Sequence, residues 1–259
     1  MKSLSRVVLA AGVAIASFPA IGQAQIWTNW TSGSVPGATV NGTLGFLGVG
    51  VSGQVAGYQL TNGTTGSISS FSAFVVPAWR TDMNFWSPSG AYTQGGLAAP
   101  PSMGLVQMID AGSITITFSG GAIVNPYIAI NSLGNPLSTP ANQGRNTARM
   151  TFGEIGQIVG PTLVSSNNGL SGDAALAASY WLGGGCQMDG NTLIGDECSG
   201  VVQLQGTYTS LKLTGTTENW YGFTVGAQSL TAVPEPSTYA LMALGMAGIA
   251  IAARRKRSA

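Results

Sequence analysis

The chain of 259 residues contains no histidine. That absence excludes Ser-His-Asp and Cys-His nucleophile pairs, a histidine metal site and an imidazole switch near neutral pH. Charge is scarce too: Asp, Glu, Lys and Arg make up 7 % of the residues, against about 25 % in an ordinary soluble domain. The polar surface must therefore come from Ser, Thr, Asn, Gln and Gly. Phosphate-loop and dinucleotide fingerprints are missing as well, because Gly183-Gly184-Gly185 is followed by neither a lysine nor a helix-opening pattern.

Both ends of the chain are strongly patterned. Lys2 and Arg6 precede an apolar run from Val7 to Ala16, then Ser17-Phe18-Pro19 and Ile21-Gly22-Gln23-Ala24. This is the layout of a secretory signal peptide over residues 1–24, with Gly22 and Ala24 setting a cleavage site before Gln25. The alternative, an N-terminal anchor, needs about 20 apolar residues, and this run stops at Pro19. At the other end, Val233-Pro234-Glu235-Pro236-Ser237-Thr238 leads into an apolar stretch, Tyr239 to Ala253, closed by Arg254-Arg255-Lys256-Arg257. As a transmembrane helix, residues 239–253 span about 22 Å, short for a hydrocarbon core of about 30 Å. The basic end, 254–257, holds the C-terminus in the cytoplasm while the preceding chain is exported. Pro234 and Pro236 keep the approach to the span extended, which suits presentation to a processing enzyme.

Pro-Glu-Pro, short apolar helix and basic cluster, in that order over residues 233–257, resemble the PEP-CTERM sorting signal of Gram-negative bacteria that make extracellular polysaccharide. The resemblance implies recognition by an exosortase, a membrane-embedded cysteine protease or transpeptidase. Cleavage would fall near Pro234-Glu235-Pro236, with release or transfer of the exported domain. The alternative is a plain tail anchor, for which a longer span would serve better. Three internal phrases, Asn84 to Pro88, Val124 to Ile130 and Glu218 to Gly226, also resemble exported domains of PEP-CTERM proteins. That likeness implies a β-sandwich and hands over no mechanism.

The exported domain, residues 25–232, holds four cations (Arg80, Arg145, Arg149, Lys212). Against them stand eight acids (Asp82, Asp110, Glu154, Asp173, Asp189, Asp196, Glu197, Glu218), a net charge of −4. No basic stripe remains to track phosphates, so nucleic acid is not an expected partner. Ser113 to Phe118 alternates polar and apolar as a half-buried strand does. Tyr127 to Ile130, Val201 to Gln205, Tyr208 to Leu213 and Trp220 to Val225 read as further strands, with Gly206-Thr207 as a hairpin link. Val49 to Leu60 and Phe71 to Pro77 read similarly, separated by the turn chemistry of Asn62-Gly63. Only Asp173 to Tyr180 reads as helix, with Asp173 as its N-cap. The expected fold is all-β, an antiparallel β-sandwich or jelly roll.

Cys186 and Cys198, the two cysteines of an exported chain, are expected to form a disulfide. Within that loop Asp189, Asn191, Asp196 and Glu197 offer oxygen ligands for calcium, the one cofactor the chain invites, although Asp189-Gly190-Asn191 is also ordinary turn chemistry. Trp79, Trp86, Tyr92, Trp181, Trp220 and Tyr221 are candidates for stacking on sugar rings. Trp86 and Tyr92 flank the turn-like Ser87-Pro88-Ser89-Gly90 and are expected to reach solvent, whereas Trp220 and Tyr221 are expected in the core. Paired carboxylates, Asp82 with Asp110 or Asp196 with Glu197, keep a glycosidase reading formally open. The reading preferred from sequence is a non-catalytic surface or extracellular-matrix protein associated with exopolysaccharide. Its partners are the secretion machinery, the inner membrane and an exosortase. The alternative is a secreted, carboxylate-dependent hydrolase.

Overall fold

Strands that alternate in sequence bury one face and expose the other. Thr39–Leu44 (β3), Ser113–Ser119 (β8) and Ser210–Gly215 (β17) switch between buried and outward positions at each residue. The two-residue period sends Val40, Ile114, Ile116, Phe118, Leu211 and Leu213 inward and Asn41, Thr43, Thr115, Thr117 and Lys212 outward. The computed structural model describes residues 25–35, 39–67, 84–86, 89–108, 112–134, 148–153, 159–166, 185–196, 198–216 and 221–228.

These strands belong to an eight-stranded sheet, here sheet II. Its order is Gly185–Asp189 (β13), Thr192–Asp196 (β14), Ala148–Phe152 (β11), β17, β8, Leu47–Gly53 (β4), β3 and Asn29–Ser34 (β2). Sheet I, also eight-stranded, runs Val159–Ser166 (β12), Cys198–Gln205 (β15), Tyr127–Leu133 (β10), Tyr221–Ala227 (β18), Leu105–Met108 (β7), Val55–Gln59 (β5) and Thr65–Ser67 (β6). Ile26–Trp27 (β1) is added alongside β18. Ile123–Val124 (β9) and Thr207–Tyr208 (β16) form a separate short pair. Pairing is antiparallel in both sheets. One apolar core joins them, with Val49, Ile116 and Leu213 from sheet II meeting Val106, Ile130, Val202 and Phe223 from sheet I. The chain is an all-β, antiparallel sandwich.

Sheet I is buried on both faces at its centre, since every residue of β7 and β18 is buried. In β18 the inward positions are large (Tyr221, Phe223, Val225) and the outward ones small (Gly222, Thr224, Gly226). A Cβ on Gly222 would stand 2.4 Å from the Leu105 side chain, and one on Gly226 2.6 Å from the Trp27 ring. Glycine at these points lets covering side chains lie directly on the sheet.

The chain passes between sheets where the sequence suggests continuous strands or hairpins. The run Val49 to Leu60 breaks at Gln54, with β4 in sheet II and β5 in sheet I. Gln54 is held there by its backbone N donating to Ser113 O at 3.1 Å and its Oε1 accepting from Ser113 N at 3.1 Å. Gly206-Thr207 is not a hairpin link, because β15 and β17 lie in different sheets and the chain crosses through β16. The Asn62-Gly63 turn is present, with Leu60 N donating to Thr64 O at 2.7 Å and Gly63 at φ 88°, and it joins β5 to β6. The strand expected at 71–77 and the helix expected at 173–180 lie outside the described residues.

Register also shows which ends coincide. Ile26 faces Ala227, Tyr127 faces Gly226, and Gln203 faces Tyr127. The first and last strands of the sandwich therefore leave it side by side. The turns at Gly45-Phe46 and Gly190-Asn191 share that end; the Gln54 crossing and Cys198 lie at the opposite one.

Candidate functional site

The outer face of sheet I carries a second apolar cluster. Phe85, Trp86, Ala91 and Tyr92 lie on Leu105, Tyr127, Ala129 and Val201. A short turn starts this cover, because Asn84 Oδ1 accepts from Trp86 N at 3.0 Å. Trp86 and Tyr92 meet edge to face, with ring centroids 5.2 Å apart and planes at 86°. Beneath them Asn131 donates through Nδ2 to Tyr92 Oη at 2.9 Å and to Phe85 O. Ser165 Oγ donates to Ala91 O at 2.7 Å and accepts from Gln94 N at 3.1 Å. The Gln94 carboxamide completes the attachment: Nε2 donates to Ser166 O at 2.7 Å and Oε1 accepts from Ser166 N at 3.3 Å. The Gln94 carboxamide thus pairs with Ser166 as the peptide group of a neighbouring strand would, at β12, the outermost strand of sheet I among the described residues. At the far end of the cover, one residue is held through both its backbone N–H and its carbonyl. Trp27 Nε1 donates to Ala98 O at 2.9 Å, and Ala98 N donates to Gln25 Oε1 at 3.1 Å.

This geometry corrects the expectation for the loop aromatics. Trp86 and Tyr92 are each 1 % exposed, so neither ring presents a face to a sugar. The segment folds back because sheet I has an apolar outer face that must be covered. Tyr221 is in the core as expected; Trp79, Trp181 and Trp220 lie outside the described residues. Asn131 on β10, Ser165 on β12 and Gln94 of the cover itself make this attachment and are missed from sequence, since a polar strand residue gives no sign that a loop will descend on it. Gln107, fully buried on β7, pairs neither Oε1 nor Nε2. Its strand neighbours are Gly57 and Gly222. Burial raises the Tyr127 phenol above its ordinary value, and its hydroxyl donates to Gln228 Oε1 at 3.2 Å.

Cys186 and Cys198 form the expected disulfide, with Cα atoms 4.9 Å apart. It ties β13 of sheet II to β15 of sheet I, beside the point where the chain changes sheets. The acidic loop is a hairpin, and its register sets Asp189 and Asn191 apart from Asp196. Asp189 faces Thr192 at the turn while Asp196 faces Gly185 at the other end, about 13 Å away along the strand. Ligands of one calcium ion sit about 2.3–2.6 Å from it, so Asp189 and Asn191 do not share an ion with Asp196. Glu197 and the side chain of Asp196 lie outside the described residues. Asn191 closes the hairpin against β11, since its Nδ2 donates to Phe152 O at 3.1 Å and Phe152 N donates to Asn191 O at 2.9 Å. Among the described residues no three of His, Cys, Asp and Glu group to hold a metal. Asp82 and Asp110, of the alternative carboxylate pair, also lie outside them.

β18 ends at Ala227, and Pro234, Glu235, Pro236, the apolar stretch 239–253 expected to span the membrane and the basic residues 254–257 lie outside the described residues. The family described as the PEP-CTERM protein-sorting motif matches residues 232–257. The chain carries a PEP-CTERM sorting signal. This motif makes the chain an exported protein sorted through an exosortase, with that enzyme as its processing partner. No curated protein and no solved structure matches the chain. Among the described residues no helix is long and apolar enough to cross a membrane.

Proposed function

We propose that the chain is a non-catalytic surface or extracellular-matrix protein that associates with exopolysaccharide. In this reading signal peptidase removes residues 1–24, an exosortase cuts near Pro234-Glu235-Pro236, and the sandwich is delivered outside the cell. The observation that carries it is the PEP-CTERM motif following within a few residues of β18, the strand at the heart of sheet I. The absence of histidine supports a binding role over hydrolysis.

With Trp86 and Tyr92 inside, the contact surface moves to the outer face of sheet II. Asn41, Gly50, Thr117 and Ser210 form one row across four strands, and Thr39, Ser52, Thr115 and Lys212 form the next. Nearly all of these are outward and uncharged. Such a flat face supplies hydroxyl donors and acceptors for a neutral sugar chain at little desolvation cost.

Intact-mass measurement on protein from its native host tests the processing. A mass that still includes residues 239–259 defeats it. Co-sedimentation with host exopolysaccharide tests the contact: Thr115→Glu with Thr117→Glu should abolish association while the melting temperature holds. Unchanged association would move the contact off sheet II, and release of reducing ends from the same polysaccharide would overturn the non-catalytic reading.

A further inference from the structure

We propose that Gln25, once exposed as the first residue of the exported chain, closes to a pyroglutamyl lactam that remains docked against Ala98. The inference rests on the signal-peptidase site before Gln25. It comes from an asymmetry within one side chain. Gln25 Oε1 accepts a hydrogen bond from Ala98 N at 3.1 Å, whereas Gln25 Nε2 has no partner. Because a backbone N–H can meet only an acceptor, the orientation of this carboxamide is settled by its neighbour.

Cyclisation acts on the two atoms differently. The free α-amino nitrogen attacks Cδ, the N–Cδ bond forms, and the Cδ–Nε2 bond breaks. Nε2 takes the proton released by the amine and leaves as ammonia, so atoms balance with no oxidant, reductant or water. The oxygen that holds Ala98 is kept, and the nitrogen that holds nothing is lost. The lactam also removes an α-ammonium group, which would otherwise lie beside the apolar contacts of Ile26 and Trp27.

The neighbouring residues make this more than the general reactivity of an N-terminal glutamine. Ile26 and Trp27 are paired to Ala227 and Gly226, and Trp27 Nε1 donates to Ala98 O at 2.9 Å. The first residues are therefore fixed on both sides, and closing the ring removes side-chain freedom that the docked state has already given up. The expected consequence is a blocked N-terminus that keeps the cover of sheet I in place.

Protein exported by its native host provides the test, by peptide mass and stepwise N-terminal degradation. The expected N-terminal peptide begins at residue 25, is lighter than the encoded sequence by one ammonia, and resists degradation until treated with pyroglutamyl aminopeptidase. A peptide that begins at Gln25 with free amine and intact carboxamide overturns the lactam and leaves the processing site standing. A first residue other than Gln25 overturns both. Hydrogen exchange supplies a second readout: Gln25→Ala, exported the same way, should exchange the Ala98 amide several-fold faster than the wild type. Equal rates would overturn the role given to the retained oxygen.

Discussion

Trp86 occupies the middle of the cover on sheet I, 1 % exposed and edge-on to Tyr92. Truncating it removes apolar area from both the cover and the sheet beneath. Trp86→Ala is therefore expected to destabilise the sandwich by about 3–5 kcal/mol, read as a fall in denaturation midpoint with little change in slope. A loss too small to resolve would mean that the cover contributes nothing to global stability. Gln107 gives the opposite sign. Its carboxamide is fully buried with both polar atoms unpaired, a state that costs about 1–3 kcal/mol. Methionine has a similar unbranched shape and no such demand, so Gln107→Met is expected to raise the melting temperature. A lowered one would show that the amide holds a partner in solution. Neither effect can be read from sequence, because Trp86 stands between Asn84 and Pro88 like a loop residue and Gln107 stands in an apolar run like an alternation.

At the scale of the element, strands rich in β-branched and aromatic residues are legible in either sheet: β8, with Ser113, Thr115 and Thr117 outward, alternates along its whole length, and β10, β15 and β18 of sheet I read as strands from their Val, Ile, Tyr and Phe content. Glycine-, Ser- and Asn-rich β2 and β3, and β11, β13 and β14 of the same sheet II, escape the sequence reading. The central strands of sheet I carry a different pattern, large inside and glycine or threonine outside, which in β18 marks the close approach of Leu105 and Trp27. Crossings were the least legible, since Gln54 and Gly206 change sheets through hydrogen bonds and register set by distant strands. The disulfide was read correctly from compartment and count, but its structural position was not. It joins β13 to β15 across the change of sheet, twelve residues apart in sequence. A closed loop of that size contributes about 3 kcal/mol through the entropy of the unfolded chain. Replacing both cysteines by alanine is expected to lower the free energy of unfolding by about that amount while the cap hydrogen bonds persist. An unchanged denaturation midpoint would show that the edge of sheet II is held without it.

For the whole molecule, the composition predicts how stability depends on pH. With no histidine in the chain, no side chain has an ordinary pKa near neutrality. An α-amino group is the remaining candidate there, and the Gln25 lactam removes it. The stability curve is therefore expected to be flat through the neutral range. On the alkaline side Tyr127 and Tyr208 have pKa values raised by burial above the ordinary 10.0. Tyr208 also donates its hydroxyl to Gln205 O. Each phenol keeps its proton longer in the folded chain than in the unfolded one, so below pH 10 its contribution is fully present. As pH rises above 10 the unfolded state releases protons first, and stability falls until the folded phenols ionise as well. Chemical denaturation across pH, followed by absorbance of the tyrosinate band, measures both quantities on one sample. Ionisation of these two phenols in the folded chain at or below pH 10 would overturn the assignment. A step in stability between pH 6 and 8 would instead reveal a free α-amino group, tying this profile to the state of Gln25.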